Sequence, residues 1–211
     1  MANSNVAFGL RPVGVNGQGA NTTGATEYRI AAGNTNAIYQ GSPVIPLSTG
    51  YIDIVGAAAG GTVSLLGVFW GCEYVSSTTG KTVWSNHWPG SGADSNYPVK
   101  AYVYDNPNQT FVIAADASLT NEATARGHVF SNANFATATS GSSTTGISSA
   151  KLGVSTIATT AALHLRIIGV QDDVDNQDFT AAGIPVIVRL NNSFNAPNGS
   201  IAAGTVSTTG V

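Results

Sequence analysis

The stretch YPVKAYVYD, Tyr97 to Asp105, decides the fold class of this chain. Apolar residues alternate in it with polar and larger aromatic ones, which is the period-two pattern of a strand with one buried face. The alternation predicts one face made of Tyr97, Val99, Ala101 and Val103 and an opposite face made of Lys100, Tyr102 and Tyr104. The stretch is therefore predicted to be a half-buried β-strand.

Eight more β-like runs flank this strand, separated by Gly, Asn or Pro turns at the spacing of a barrel or sandwich. They are EYRIAA (27–32), PVIPL (43–47), YIDIV (51–55), LLGVFWGCEYV (65–75), TVWSN (82–86), QTFVIAAD (109–116), LHLRIIGV (163–170) and IPVIVRLN (184–191). Only SLTNEATARG, 118–127, is predicted to hold a helix, of one or two turns, with Thr120 as its cap. The 25 glycines and the scarcity of Lys, Glu and Leu favour the same class. We predict an all-β protein with a compact β-barrel or β-sandwich body.

The two ends and one internal segment are expected to lie outside the core. We predict an extended N-terminal arm at 1–25, a β-rich body at 26–194 with a loop insertion at about 136–150, and an extended C-terminal tail at 195–211. Long Ser/Thr/Gly segments bury too little apolar surface to offset their ordering entropy, so they are mobile or lie against another surface. Within the arm, FGLRPV is an apolar island that suggests docking on a partner. Deleting 1–15 is expected to leave the body folded.

Charge and hydropathy exclude two classes of partner. The net charge of -3, with single scattered Lys and Arg residues, argues against nucleic acid, whose phosphates require clustered basic residues. No run approaches the 18 or so apolar residues of a membrane helix, so no membrane partner is expected.

The N-terminus lacks a signal-peptide pattern, so the protein is expected to remain at first where it is made. Cys72, the single cysteine, excludes an intrachain disulfide and a cysteine-based zinc cluster.

An acidic cluster in IIGVQDDVDNQDF, 167–179, is the first candidate for a metal or catalytic site. It holds four of the 11 acidic residues, Asp172, Asp173, Asp175 and Asp178. The calcium-loop pattern fails because no glycine follows at the turn position and no distal bidentate carboxylate is placed correctly. We interpret the cluster as a solvated connection between two strands, with a looser calcium site as the alternative, and predict no metal site.

Catalytic and cofactor motifs are weak throughout. His87, His128 and His164 lack a nearby nucleophile elbow, and structural or surface roles are the default. Cys72 is predicted to be buried and inert, on a strand face shared with Val68, Trp70 and Tyr74. The glycines of GVNGQGANTTG do not fit the dinucleotide fingerprint. We therefore predict no cofactor and no enzymatic activity.

Seven aromatic residues remain as candidates for a binding surface. They are Trp70, Trp84, Trp88, Tyr74, Tyr97, Tyr102 and Tyr104. Aromatic side chains on β scaffolds stack on sugars, but they also anchor cores and protein interfaces. Core or interface roles are favoured, and a sugar-stacking platform is the alternative.

Several segments resemble small virion structural proteins of tailed bacteriophages. NVAFGLRPVG and then TEYRIAAGNTNAIYQGSPVIPLSTGYIDIVGAAAGGTVSLLGVFWGCEYV are similar to the N-terminal half of those proteins. SLTNEATARGHVF, GSSTTGIS, ALHLRIIGVQDDVDN and VIVRLNNS are similar to the C-terminal half. The resemblance covers nearly the whole chain. Ser42 stands where that family has an acidic residue, and NNSF stands where an "N.H" is common.

The resemblance implies a head decoration, or cement, protein that is made in the host bacterial cytoplasm and binds the exterior of the capsid. Its expected partners are the major capsid protein and itself, as a homotrimer or, alternatively, a dimer. We predict that the capsid and protomer interfaces involve Phe8, Leu10, Arg11, Pro12, Trp84, Trp88, Tyr102 and Tyr104. The alternative function is a carbohydrate-binding virion surface module.

Overall fold

The computed structural model describes residues 3–17, 24–56 and 64–196, and strands dominate it. Strands and bridges make up 44% of the described residues and helix 3%, so the all-β prediction is confirmed. In chain order, the elements within these ranges are β1 (Arg11–Val15), β2 (Thr26–Ile30), β3 (Pro43–Pro46), β4 (Ile52–Ile54), β5 (Gly67–Val75), β6 (Thr82–Ser85), β7 (Val99–Tyr104), β8 (Gln109–Ala114), α1 (Glu122–Gly127), β9 (Asn132–Thr137), β10 (Lys151–Ala158), β11 (Leu165–Val170) and β12 (Pro185–Leu190).

The strands form two antiparallel sheets. The N-terminal sheet has the order β2-β7-β5-β3-β4, and β6 pairs with the second half of β5. The C-terminal sheet has the order β1-β8-β12-β11-β9-β10. Apart from β1, each sheet is built from one continuous part of the chain, so the body divides near residue 105.

The N-terminal sheet curves around a core of its own. The predicted alternation of β7 is confirmed, because Val99, Ala101 and Val103 are fully buried while the residues between them are partly exposed. The loop after edge strand β2 is attached to edge strand β4 by side chains: Asn34 and Asn36 donate to the carboxylate of Asp53 at 3.0 and 2.9 Å. The buried members of this core are Ile30, Ile38, Val44, Ile52, Ile54, Leu66, Phe69, Cys72, Trp88, Val99, Ala101 and Val103.

The C-terminal sheet encloses the second core. Just beyond β8, Ala115 pairs with Leu152 of β10, so the far edge of this sheet returns towards β8. Leu65 and Val68 belong to this second core although they lie in or beside the N-terminal sheet. They join the two halves of the body.

A β-bulge in β5 corrects one predicted face. The register with β7 shifts between Phe69 and Gly71, which adds one residue and reverses the alternation beyond it. As a result Cys72 lies with Phe69 in the N-terminal core, whereas Val68 lies in the other core. The expected common face for Val68 and Cys72 was therefore wrong, although the predicted burial of Cys72 is confirmed.

The helix α1 lies where the sequence placed a helix, but its cap is one residue later than predicted. Asn121 is the N-cap and its side-chain oxygen accepts from the backbone N–H of Thr124. Thr120 instead has φ 71°, a left-handed conformation outside the helix. In the described part of the chain no helix is long and apolar enough to cross a membrane.

The predicted arm and insertion both lie partly within the body. Arg11–Val15 pairs with β8 as an edge strand, so the extended N-terminal arm does not reach to residue 25 as one unit. In the insertion, Ile147 pairs with Gln40, and Thr145 accepts a hydrogen bond from the Asn86 side chain at 2.8 Å. The insertion therefore lies against loops of the N-terminal sheet. The predicted tail from 197 onwards lies outside the described residues.

Candidate functional site

The N-terminal segment, defined here as Asn3–Val15, is fixed to the body in the middle of the FGLRPV motif. Leu10 is fully buried in the C-terminal core, and its backbone N–H donates to the carbonyl of Gly41 at 2.9 Å. Gly9 has φ 67°, and a Cβ there would lie 2.8 Å from the Gly41 oxygen. Leu10 was predicted to be an interface residue. This assignment is corrected, because a fully buried side chain cannot contact a partner.

Several residues near Leu10 are exposed or half-exposed. The Arg11 guanidinium lies over the Phe8 ring, 4.8 Å from its centroid, in a cation–π contact. Val6 and Val13 are 72% and 53% exposed. Pro12 lies at a register irregularity of β1 and is partly buried. The N-terminal segment thus presents two apolar side chains and one cation on an open edge of the C-terminal sheet.

The start of the N-terminal segment is held by the connection that carries the acidic cluster. Asn3 donates to the carbonyls of Asp178 and Ala182 at 2.8 and 3.1 Å, and it accepts from the backbone N–H of Asp178 at 3.0 Å. The backbone N–H of Ser4 donates to the side chain of Asn176 at 2.7 Å. Four hydrogen bonds therefore dock this end on the β11–β12 connection.

A cleft of about 360 Å³ lies between the N-terminal segment and that connection. Its lining includes Phe8, Arg11, Val13, Val112, Asp173 and Pro185. Arg11 and Asp173 give it one basic and one acidic wall over an apolar base.

A second exposed feature lies on the outer face of the N-terminal sheet. Trp84 is 67% exposed on β6, and its ring is nearly parallel to that of Tyr102, with centroids 5.9 Å apart and an interplanar angle of 13°. The Glu73 carboxylate accepts from the Tyr102 hydroxyl at 3.3 Å and pairs with the Lys100 ammonium at 3.4 Å. Burial, and then the negative charge and hydrogen bond of Glu73, raise the pKa of Tyr102. We call Trp84, Tyr102, Glu73 and Lys100 the aromatic platform.

The other two predicted aromatic interface residues have structural contacts. Trp88 is fully buried, its ring meets Tyr74 edge-on, and its indole N–H donates to the Asn34 carbonyl at 3.2 Å. The interface assignment of Trp88 is corrected to a core role. Tyr104 is partly buried against the C-terminal core and meets Trp70 edge-on at 5.2 Å. Of the aromatic candidates on the N-terminal sheet, Trp84 and Tyr102 remain accessible together.

The acidic cluster forms the connection between β11 and β12, as predicted. Its carboxylates are used by the turn itself: Asp173 accepts from the backbone N–H of Asp175 at 3.0 Å and from the Asn176 side chain at 2.9 Å. Hydrogen bonds from the Thr180 hydroxyl and backbone N–H lower the pKa of Asp178. Among the described residues, no group of three or more His, Cys, Asp or Glu side chains is arranged to hold a metal ion.

His87, His164 and Cys72 lie in packing environments, and His128 is the C-cap residue of α1. His164 is buried with its ring near Phe135, and its Nδ1 is hydrogen-bonded to Asn134. His87 stacks on Tyr39. Burial raises the pKa of the Cys72 thiol to about 12, and the thiol donates to the His87 carbonyl at 3.4 Å. A thiol in this state is a poor nucleophile at neutral pH.

Comparison with known proteins adds no relative. No protein-family model, curated protein or solved structure matches this chain. The features of this chain that bear on its function are the resemblance in its sequence and two exposed surfaces, the N-terminal segment and the aromatic platform.

Proposed function

We propose that this protein is a capsid decoration, or cement, protein that binds the outer surface of the major-capsid lattice of a tailed bacteriophage and stabilises the DNA-filled head. The observation that carries the proposal is the N-terminal segment. The FGLRPV motif, on which the resemblance begins, is anchored by Leu10 and yet leaves Val6, Arg11 and Val13 exposed. Apolar side chains held outwards on a fixed segment are typical of a docking surface.

The edge position of β1 supports the same role. β1 pairs with β8 on one side, and its other side is the edge of the C-terminal sheet. The β-bulge at Pro12–Gly14 and the exposed Arg11 blunt this edge against uncontrolled strand pairing. A surface of this kind suits contact through side chains with one specific partner.

Binding of this kind stabilises a capsid by mass action. A ligand that binds only the assembled lattice contributes about 2.7 kcal/mol per site at one hundred times its Kd. An oligomer, with a homotrimer favoured, gains further through effective concentration when its copies engage together. Each stable contact requires roughly 1,000 Å² of buried surface. The proposal requires no catalytic step, cofactor or metal.

Cosedimentation with empty heads tests this proposal. Deletion of 1–15 is unsuitable, because it removes Leu10 from the core and β1 from its sheet, so the expectation that this deletion leaves the body folded is corrected. The variant Val6→Ser/Val13→Ser is suitable, because both side chains are exposed. It should remain folded and lose head binding. Phe130→Ser, at another exposed apolar position outside the N-terminal segment, should bind normally. Full occupancy of heads by the double variant would refute this docking surface.

A carbohydrate-binding virion surface module is the second candidate, and the aromatic platform is the observation that favours it. An exposed indole beside a phenol, with a carboxylate and an ammonium within hydrogen-bonding reach, offers a flat apolar surface and polar groups for sugar hydroxyls. A glycan array with the wild-type protein and Trp84→Ala tests it. Binding that Trp84→Ala abolishes and Tyr97→Ala retains would support it, and an array without hits would exclude it.

A further inference from the structure

Two arginines face each other on the outer side of the C-terminal sheet. Arg166 of β11 and Arg189 of β12 are directly opposite in the antiparallel register. The neighbouring residues Leu165, Val188 and Leu190 are buried in the core, so alternation places both arginines on the outer side. Like charges directly opposite each other on paired strands are unfavourable for folding. A neighbouring anion would relieve this repulsion.

The described part of the chain supplies no anion at this point. The three ion pairs within it are Glu27–Arg29, Glu73–Lys100 and Glu122–Arg126, and none involves Arg166 or Arg189. The Nε atom of Arg189 is buried without a hydrogen-bond partner. By contrast, the Nε of Arg166 donates to the Asn132 side chain at 3.0 Å, which fixes the direction of that guanidinium. Arg166 is thus positioned by a side-chain contact, whereas the buried Nε of Arg189 is out of reach of another chain; both residues are half-buried, so only the terminal guanidinium nitrogens can meet an anion from outside. We call Arg166 and Arg189 the arginine pair.

An apolar side chain adjoins the arginine pair. Ile187 lies two residues before Arg189 on β12, hence on the same outer side, and it belongs to neither core. The surface is thus basic at one end of the hairpin and apolar towards its middle. A matching ligand needs carboxylates beside a small apolar group.

The opposite end of the same hairpin presents that combination. In the β11–β12 connection, Asp172, Val174 and Asp175 are exposed, with Val174 at 83%. β11 ends at Val170, four residues beyond Arg166, so the two ends of the hairpin are separated by about 13 Å at the usual rise of a strand. We call Asp172, Val174 and Asp175 the acidic tip. Among the described residues of one chain, none of these carboxylates lies within ion-pair distance of the arginine pair.

We propose that the acidic tip of one copy of this chain binds the arginine pair of the next copy. Asp172 and Asp175 neutralise Arg166 and Arg189, and Val174 packs towards Ile187. The contact joins two different surfaces head to tail, so it propagates in one direction and closes into a ring when the rotation permits, as in a trimer. This inference rests on the oligomeric part of the proposed function and assigns its protomer contact to named residues.

The mass of the purified protein in solution, measured by sedimentation without capsids, tests this contact. The wild type should form a closed oligomer at low salt and dissociate as NaCl rises from about 0.01 M to about 1 M, because the screening length falls from about 30 to about 3 Å. Arg166→Glu/Arg189→Glu and Asp172→Lys/Asp175→Lys should each weaken association by at least about a hundredfold. A chain carrying all four substitutions should regain the oligomer. Lys81→Glu, which changes an exposed charge next to β6, should associate as the wild type does.

Three results would overturn this contact. They are a wild type that stays monomeric at hundred-micromolar concentrations, an oligomer that tolerates either reversal, and a quadruple variant that stays monomeric while folded. If the glutamate variant does not fold, Arg166→Gln/Arg189→Gln replaces it. This variant removes the like-charge repulsion, so its melting temperature should rise while association is lost. Cosedimentation with heads is scored separately: a wild type that binds heads although it is monomeric in solution would refute the protomer contact and leave the capsid-binding proposal standing, whereas variants that lose self-association but still bind heads would support both.

Discussion

The backbone N–H of Leu10 donates a hydrogen bond to the carbonyl of Gly41, 2.9 Å away. This bond fixes the N-terminal segment against the loop that precedes β3, which belongs to the N-terminal sheet. It also places the Leu10 side chain in the core enclosed by the C-terminal sheet. One residue of the FGLRPV motif therefore links both halves of the body. The motif is part of the folded body as well as a candidate docking surface.

Leu10→Ala should lower the free energy of unfolding by about 2–5 kcal/mol, because it removes a fully buried leucine and leaves a cavity. Urea denaturation followed by circular dichroism measures this change. Val13→Ala is the control in the same segment, and because Val13 is 53% exposed its effect should stay within about 0.5 kcal/mol. Equal effects of the two variants would contradict the burial of Leu10.

Gly9→Ala should be more damaging than an ordinary glycine substitution. Gly9 has φ 67°, and the new Cβ would lie 2.8 Å from the Gly41 oxygen and 2.9 Å from the Ser148 Cβ. Gly50 is the matched control, since it has φ 81° but no described neighbour within 4 Å of the place where a methyl group would lie. Gly50→Ala should cost about 1 kcal/mol for the left-handed backbone, and Gly9→Ala about 1–3 kcal/mol more for the overlap. Denaturation of both variants gives the difference.

The strands that could be predicted are those whose side chains alternate between a core and solvent. β7 is the clearest; eight of the nine predicted runs contain a strand of the structure, and the run 27–32 overlaps β2, which begins one residue earlier. β1, β9 and β10 were not predicted, because their residues are mostly small or polar and their pairing is set by distant partners. Asn132 of β9, for example, lies opposite Arg166, and that register cannot be read from either segment alone.

The candidate site was harder to predict than the fold because exposure depends on contacts between distant residues. Trp84 and Trp88 are four residues apart in the sequence, yet one is 67% exposed and the other is fully buried. Trp88 is buried because its backbone pairs with Ile38, fifty residues earlier, in two hydrogen bonds of 2.9 and 2.8 Å. The arginine pair likewise depends on the register of β11 and β12, which neither strand shows by itself.

Cys72 should make the free energy of unfolding depend on pH in the alkaline range. Burial raises the pKa of its thiol from 9.0 to about 12, so the folded chain keeps a proton that the unfolded chain loses within this window. The contribution of the neutral thiol to the free energy of unfolding is fully present below pH 9. It declines as the pH rises towards 12, by at most about 1.4 kcal/mol per pH unit.

Cys72→Ala provides the comparison for this pH dependence. The variant loses packing but has no thiol to titrate, so its deficit in unfolding free energy should shrink as the pH rises above 9. Urea denaturation of both proteins at several alkaline pH values measures the deficit. In the native wild type the thiol should also resist alkylation near neutral pH and react on unfolding. A constant deficit together with rapid native alkylation would show that Cys72 is accessible.

Trp84 and Trp88 should respond differently to replacement by alanine, because Trp84 lies on the surface and Trp88 lies in the core. Trp88→Ala removes a fully buried indole and should cost about 3–5 kcal/mol of unfolding free energy. Trp84→Ala removes an exposed indole that stacks on Tyr102, and should cost about 0.5–1.5 kcal/mol, the value of an aromatic pair. Denaturation of both variants gives the two costs.

Tyr102→Phe is the control for the Trp84 measurement, because it keeps the ring and removes the hydroxyl that donates to Glu73. If stacking alone stabilises Trp84, then Trp84→Ala should cost the same in the wild-type and Tyr102→Phe backgrounds. A loss above about 3 kcal/mol for Trp84→Ala would instead mean that its indole is buried in solution by another copy of the chain, since a cost of that size requires removal from water. Repeating the measurement over a range of protein concentrations distinguishes these cases, because only burial by a second copy depends on concentration.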